Sequence, residues 1–455
     1  MKKIIILSLV ALLIRFILII YYIPIFEKSD ISQNLDKLKV YNFLIKINDQ
    51  RPFQNNVDTQ YYNKKDLNNK FVKKSYDKRS IRMNDDEEQN FAIAVNFLNG
   101  NNYSIFDQEK KKYHYASRQH SFQVFIYKYF IDKEINFDYF IFLYIFINLI
   151  LFFLSVIFFY RLSLIFLNEY LSKISTITYC LYPSIFFYIG PLFFYENLVL
   201  SMIVIASYLF LKKKNILNFS IIIIFAVISL LLRFQTVFIW IMLFVLFTLY
   251  DFYNLRKIKS FIPILTFIFV AFLAHKPILD KNYNLFENKT LTTNSGISFF
   301  IGANKNARGS WDGTGNTVNQ LKLEIGNNLN EFEVSKVYFN AGIEWIKKNP
   351  YDYLILQFRK LAIYFLPQNY SILPGSRIYN PINLMFHIGL FLFLLNVLKN
   401  KEFSYKNLVI LSPVIGSLTI SLLFFIGYRW RYYAEPYMIL TTFIFYSQLT
   451  KIPNK

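Results

Sequence analysis

Long apolar runs recur along this chain, each roughly 17 to 25 residues and so long enough to cross the hydrocarbon of a bilayer. Inside hydrocarbon every backbone N–H and C=O must find its partner within the protein, and an isolated apolar segment does that only as an α-helix. The runs therefore predict an all-α polytopic membrane protein. Helices are expected at 4–25, 138–159, 163–181, 194–211, 216–232, 236–252, 260–275, 382–398, 407–426 and 434–449. That is about ten spans, within a range of about nine to twelve. The composition agrees, with 55% hydrophobic and only 17% charged residues.

Short loops set the orientation. Lys212-Lys213-Lys214, Arg256 to Lys259, Lys399 to Lys401 and Lys451 to Lys455 fall on one side of this map. That side is expected to be cytoplasmic, with both ends of the chain there. The first run follows Met1-Lys2-Lys3 and continues to about Phe26. It contains Arg15, lacks a small-x-small cleavage site, and reads as an uncleaved span rather than a signal peptide. Two long loops then face outward, at 27–137 and 276–381. The chain divides into an N-terminal membrane module (1–275, including the first loop), the second loop (276–381) and C-terminal membrane helices (382–455).

The first loop is polar in its early half. Later, Phe91, Ala94, Val95 and Leu98 recur at helical spacing, and Gly100 closes that helix. Phe122 to Ile131 is apolar but too short to span and reads as an interfacial helix. In the second loop Gly296, Gly302, Gly309, Gly313 and Gly315 cluster, as in a turn-rich segment that lets backbone approach a ligand. Val334 to Lys348 reads as an amphipathic helix closed by Asn349-Pro350. Tyr351 to Leu366 is apolar but carries Arg359 and Lys360, which are costly within a span, so a helix on the outer surface is expected.

The net charge of +21, from 50 Lys and Arg against 29 Asp and Glu, is explained by basic residues flanking spans and meeting lipid headgroups. No compact basic-aromatic motif points to nucleic acid. The single cysteine, Cys180, excludes a disulfide within the chain and a cysteine metal cage. His114, His120, His275 and His387 are too scattered for a zinc motif. Heavy use of Ile, Lys, Asn and Phe suggests an AT-rich bacterial genome, and hence a plasma (inner) membrane.

Four consecutive acids, Asp85-Asp86-Glu87-Glu88, stand in the first outward loop. Two readings fit them. Asn84 or Asp85 can cap the following helix, Glu88 can complete a capping box, and acids favour a helix N-terminus. Alternatively one carboxylate is a general base that takes a proton from an acceptor hydroxyl or amine, while a second orients the acceptor or holds a divalent metal such as Mg or Mn.

Asp86-Glu87 followed by Ala92, Ala94, Leu98, Gly100 and Tyr103-Ser104 resembles the first-loop motif of the GT-C superfamily of polyprenyl-phosphate-sugar-dependent glycosyltransferases, which includes relatives of the protein O-mannosyltransferases and of the lipid A aminoarabinose transferase. Further segments are similar in the same order. Ala116 to Gln123 sits where relatives carry Arg-x-Pro-x-Tyr-Pro; Arg118 fits, while His120 and Gln123 replace both prolines. Tyr182-Pro183 through Gly190-Pro191 to Glu196-Asn197-Leu198 resembles a Pro-to-Glu stretch at an outer helix junction. Leu232-Arg233 resembles a Leu-x-Arg element. Phe299 to Gly309, with Asn304, resembles an outer-loop Ile-Gly-Asn-Asn segment. Arg429-Trp430-Arg431 with Glu435-Pro436 resembles a late Arg-Tyr-Arg element.

This resemblance implies a GT-C-like fold and a sugar transfer, with inversion, from a polyprenyl-phosphate-linked sugar donor to a lipid, glycan or protein acceptor on the non-cytoplasmic face. It makes Asp86 the leading catalytic carboxylate and Glu87 the next, with Asp85 still open; the same Asp86 and Glu87 would hold a metal if there is one. Arg118, Arg233, Arg429 and Arg431 become the donor-phosphate set, since guanidinium groups bind phosphate oxygens bidentately. Each could instead be a headgroup contact. His120, Glu196 and Asn304 are further site candidates; Glu196 equally suits pairing with an arginine such as Arg233. Two other classes stay open: a transporter or flippase for lipid-linked saccharides, and a glycan polymerase or ligase.

Overall fold

The computed structural model describes residues 5–6, 8–13, 85–107, 112–116, 121–133, 137–182, 195–212, 215–255, 258–310, 329–365, 376–400 and 404–450. The first loop contributes a small folded unit. Helix α1 (Asp85–Leu98) is followed by strands β1 (Ser104–Asp107) and β2 (Lys112–Tyr115) and by α2 (Ser121–Asp132). The strands pair antiparallel, with Ser104 opposite Tyr115. This hairpin was not legible as alternation, because each strand has only four residues. The expected helix begins six residues before Phe91, so all four acids belong to it. Gly100, at φ 82°, takes the left-handed conformation that ends it.

The helical body comprises α3 (Phe137–Ser163), α4 (Glu169–Leu181), α5 (Glu196–Leu211), α6 (Ile216–Leu232), α7 (Val237–Leu255) and α8 (Ile262–Phe286). After the short α9 (Ser295–Ile301) come α10 (Glu331–Lys348) and α11 (Pro350–Phe365). The body is completed by α12 (Ser376–Asn400), α13 (Tyr405–Leu423), the one-turn α14 (Tyr428–Arg431) and α15 (Glu435–Leu449). Among the described residues five helices are long and apolar enough to cross a membrane, and α5 and α6 are shorter apolar helices.

Two expected spans change. The run at 163–181 yields α4, only 13 residues long, because a turn separates it from α3. The span expected at 260–275 continues to Phe286 through Lys276, Pro277 and Lys281, so the domain boundary at 275 falls inside a helix. Expected charges stop a span, but they do not stop a helix, whose backbone bonds are internal. Helix α10 starts three residues before Val334, where Asn330 and Glu333 form a reciprocal capping box.

Contacts at the helix termini give the body two ends. At one, the Tyr405 hydroxyl donates to the Phe210 carbonyl at 2.8 Å and its ring stacks on Tyr250. Lys212, Lys259 and Lys406 belong to this end, as does Lys399, since only a short connection separates α12 from α13. Asn168, Asn215 and Ser404 cap three helices that start there, each accepting a backbone N–H. The opposite end carries the long connections and is called the loop end below.

Helix α5 is buried along almost its whole length, packed against α3, α6 and α13. Its serines bond back to the preceding turn, and Ser207 also meets the Tyr437 hydroxyl at 2.7 Å. Small residues let helices approach closely where no solvent drives them together. Gly416 of α13 faces Ile239 of α7 so tightly that an added Cβ would lie 2.5 Å from the Ile239 Cα, which is backbone and cannot rotate away. Gly416→Ala is therefore expected to lower unfolding free energy by about 1–3 kcal/mol through overpacking, measured by denaturant titration in detergent. Gly427→Ala, whose Cβ would meet nothing closer than 3.7 Å, is the control expected to change little.

Candidate functional site

At the loop end the sequence leaves charges where helices stop. Glu196 opens α5 and Arg233 caps the C-terminus of α6. Their side chains form an ion pair, Arg233 Nη2 to Glu196 Oε1 at 2.9 Å, and are 12% and 2% exposed. Each charge sits at the helix terminus whose dipole favours it, an acid at an N-terminus and a base at a C-terminus. The second carboxylate oxygen of Glu196 has no hydrogen-bond partner among the described residues. Next to Glu196, the Asn197 side-chain oxygen accepts a hydrogen bond from the Tyr432 hydroxyl. That ties α5 to the turn that begins with Arg431.

Arg431 is fully buried and donates through Nη1 to the Tyr364 carbonyl at 3.3 Å. The Tyr364 hydroxyl in turn donates to Ser417, whose own hydroxyl donates to the Trp430 carbonyl. One turn before Tyr364 lies Lys360, also fully buried. Its Nζ donates to the carbonyls of Leu422 and Phe424, at 2.8 and 2.6 Å. These are carbonyls at the C-terminal end of α13, where the helix itself supplies no donors. Desolvation by burial pushes the Lys360 pKa down to about 7.

The glycine-rich loop closes over this lysine. A Cβ on Gly302 would sit 1.5 Å from the Phe424 carbonyl oxygen, so only glycine fits there. Gly309, at φ 92°, accepts a backbone bond from Ile426 at 2.7 Å. Asn304 is buried and serves this loop: its amide nitrogen donates to the Phe300 carbonyl at 2.8 Å and its oxygen accepts from the Asn306 N–H.

The four acids open α1, so Asp86 and Glu87 lie in its first turn; their side chains, like that of Arg429 in α14, lie outside what is described. Arg118 and His120 lie outside the described residues altogether. Helix α1 is locked to α2 by the Asn90 amide donating to Gln123 at 2.7 Å, with both residues buried. The unit docks on the far end of α8, where the Lys281 ammonium lies 4.0 Å from the centre of the Tyr103 ring. The acid-bearing helix thus belongs to the same end as Arg233 and Arg431. No group of three or more His, Cys, Asp or Glu that could hold a metal occurs among the described residues.

The structure brings together Glu196, Arg233 and Arg431, and adds Lys360, Tyr364, Asn197 and Tyr432, which sequence reasoning did not assign. Lys360 was expected on a helix at the outer surface; its side chain is buried instead, because α11 turns that face onto the end of α13. The chain matches no protein-family model, no curated protein and no solved structure. Removing one partner of a buried ion pair costs about 3–5 kcal/mol, whereas replacing both is often neutral. Arg233→Met alone should therefore destabilise the protein by about that amount, and adding Glu196→Met should restore most of it, read by denaturant titration in mixed micelles. A double variant no more stable than the single one would show that the charges are held by other groups.

Proposed function

We propose that this chain is a GT-C-type integral-membrane glycosyltransferase that moves a sugar from a polyprenyl-phosphate carrier to an acceptor on the non-cytoplasmic face. The observation that supports it is the gathering of Glu196, Arg233, Lys360 and Arg431 at the same end of the helical body as the acidic first turn of α1. An enzyme acting on a lipid phosphate needs cationic groups and a carboxylate at one membrane–water boundary. The ordered sequence resemblance supplies the reaction class.

In this reading about ten helices cross a bacterial inner membrane, with the lysine-rich end cytoplasmic, as the positive-inside rule requires. The Asp86 carboxylate takes the proton of the acceptor hydroxyl. The acceptor oxygen then attacks the anomeric carbon, the bond from that carbon to the phosphate oxygen breaks, and the lipid phosphate leaves with the electron pair. A single displacement of this kind inverts the anomeric centre. Guanidinium groups drawn from Arg118, Arg233, Arg429 and Arg431 offset the charge that grows on the departing phosphate, which is electrostatic stabilisation of the transition state. A divalent ion held by Asp86 and Glu87 would do the same. Glu196, Arg233 and Arg431 sit at helix ends and not halfway along spanning helices, which favours surface chemistry over the mid-bilayer ion sites of a lipid-linked saccharide transporter.

Purified protein supplied with glycosylated polyprenyl phosphate and a lipid acceptor tests this. Asp86→Asn is expected to lower turnover by roughly 10²- to 10⁴-fold, the usual contribution of a general base, with the melting temperature unchanged. Asp85→Asn and Glu88→Gln should change it by only a few-fold. Full turnover in both Asp86→Asn and Glu87→Gln would remove the assigned base.

A further inference from the structure

Helix α11 is built inside out. Residues Leu356, Lys360 and Tyr364, four apart, form its buried face. Tyr351, Leu354, Ile355 and Phe358, at i, i+3, i+4 and i+7, form a continuous apolar stripe on its outward face, and all four are exposed. In water a helix would place such a stripe inward and the lysine outward. Such an inversion suits a face turned to lipid better than one turned to water.

What flanks the stripe fits the boundary of a bilayer. Lys347 and Lys348 end α10 and Arg359 follows the stripe, all exposed, with stems long enough to keep their charges at headgroup level. The Trp345 and Tyr353 rings meet edge to face beside it, and amphipathic rings of this kind concentrate at membrane–water interfaces. Exposed Glu344 and Asp352 share the surface, so the fit is to a headgroup zone in general and not to anionic lipid in particular. Helix α11 also packs against α12, which spans by length and composition and exposes Met385, Ile388, Phe391 and Leu395 along its outer side. The stripe-bearing helix therefore adjoins a spanning helix whose exposed side is also apolar.

The geometry points to the α10–α11 elbow as a bilayer-interface anchor, with the stripe of α11 seated at the boundary between acyl chains and headgroups. Its opposite face holds Lys360 on the end of α13 and the Tyr364 carbonyl on Arg431, so the anchor fixes the charged cluster at the depth of a lipid phosphate. This goes beyond the proposed sugar transfer and does not depend on it.

The test replaces Cys180 by serine and introduces Leu354→Cys, Ile355→Cys or Phe358→Cys, one at a time, with Lys336→Cys as the solvent control. Each is labelled with an environment-sensitive fluorophore in liposomes of zwitterionic and anionic phospholipid. Lipids with a nitroxide high on the acyl chain should quench the three stripe positions at least twofold more than position 336, and aqueous iodide should show the reverse order. Iodide quenching equal to that at 336 would place the stripe in water and overturn the anchor. Shielding from both quenchers would place it against protein and overturn it equally. Since the readout is depth and not activity, failure of the glycosyltransferase reading would leave this result untouched.

Discussion

A carboxylate and a guanidinium buried together, Glu196 at the start of α5 and Arg233 at the end of α6, fix where the helical body stops. Taking both charges out of water is expensive, and their attraction repays that cost only with good geometry and further favourable contacts. Here each helix contributes its own dipole. Neither helix can slide by a turn without separating the pair, so the interaction sets the register of the two helices against each other. Asn197, adjacent to Glu196, then ties the same level to Tyr432 and thereby to the turn that carries Arg431.

The same logic repeats on the other side of the cluster. The C-terminus of α13 leaves carbonyls without donors, and Lys360 supplies them from a different helix. That contact demands close approach by the glycine loop, which explains why Gly302 stands where any side chain would collide with the Phe424 carbonyl. Helix termini, a buried base and a glycine loop thus converge through backbone requirements before any ligand is considered. In the reading proposed above, these side chains are already held by packing and would not have to order when a phosphate arrives.

Much of this fold could be read from the sequence because apolar length is a strong signal. The run at 216–232 matches α6 residue for residue, and the boundaries of α5, α7 and α13 fall within a few residues of expectation. Two features were not readable, for different reasons. The β1–β2 hairpin has four-residue strands, too short for a period of two to stand out. Charges mark the end of a span but not of a helix, so α8 runs on past Lys276. At the site, pairing of Glu196 with Arg233 followed from the cost of a lone charge. Burial of Lys360 did not, because its acceptors are backbone carbonyls 62 and 64 residues away and no side-chain pattern announces them.

The central claim is that the loop end of the helical body, and not the lysine-rich end, receives a lipid phosphate beside the acids of α1. Electron cryomicroscopy of the protein in nanodiscs with glycosylated polyprenyl phosphate measures this directly. The account predicts phosphate density within hydrogen-bonding reach of Arg431 or Arg233, with the sugar directed toward the first turn of α1. Phosphate density at the end marked by Lys212 and Lys399, or a carrier lipid bound only on the outer surface of the helices, would contradict it.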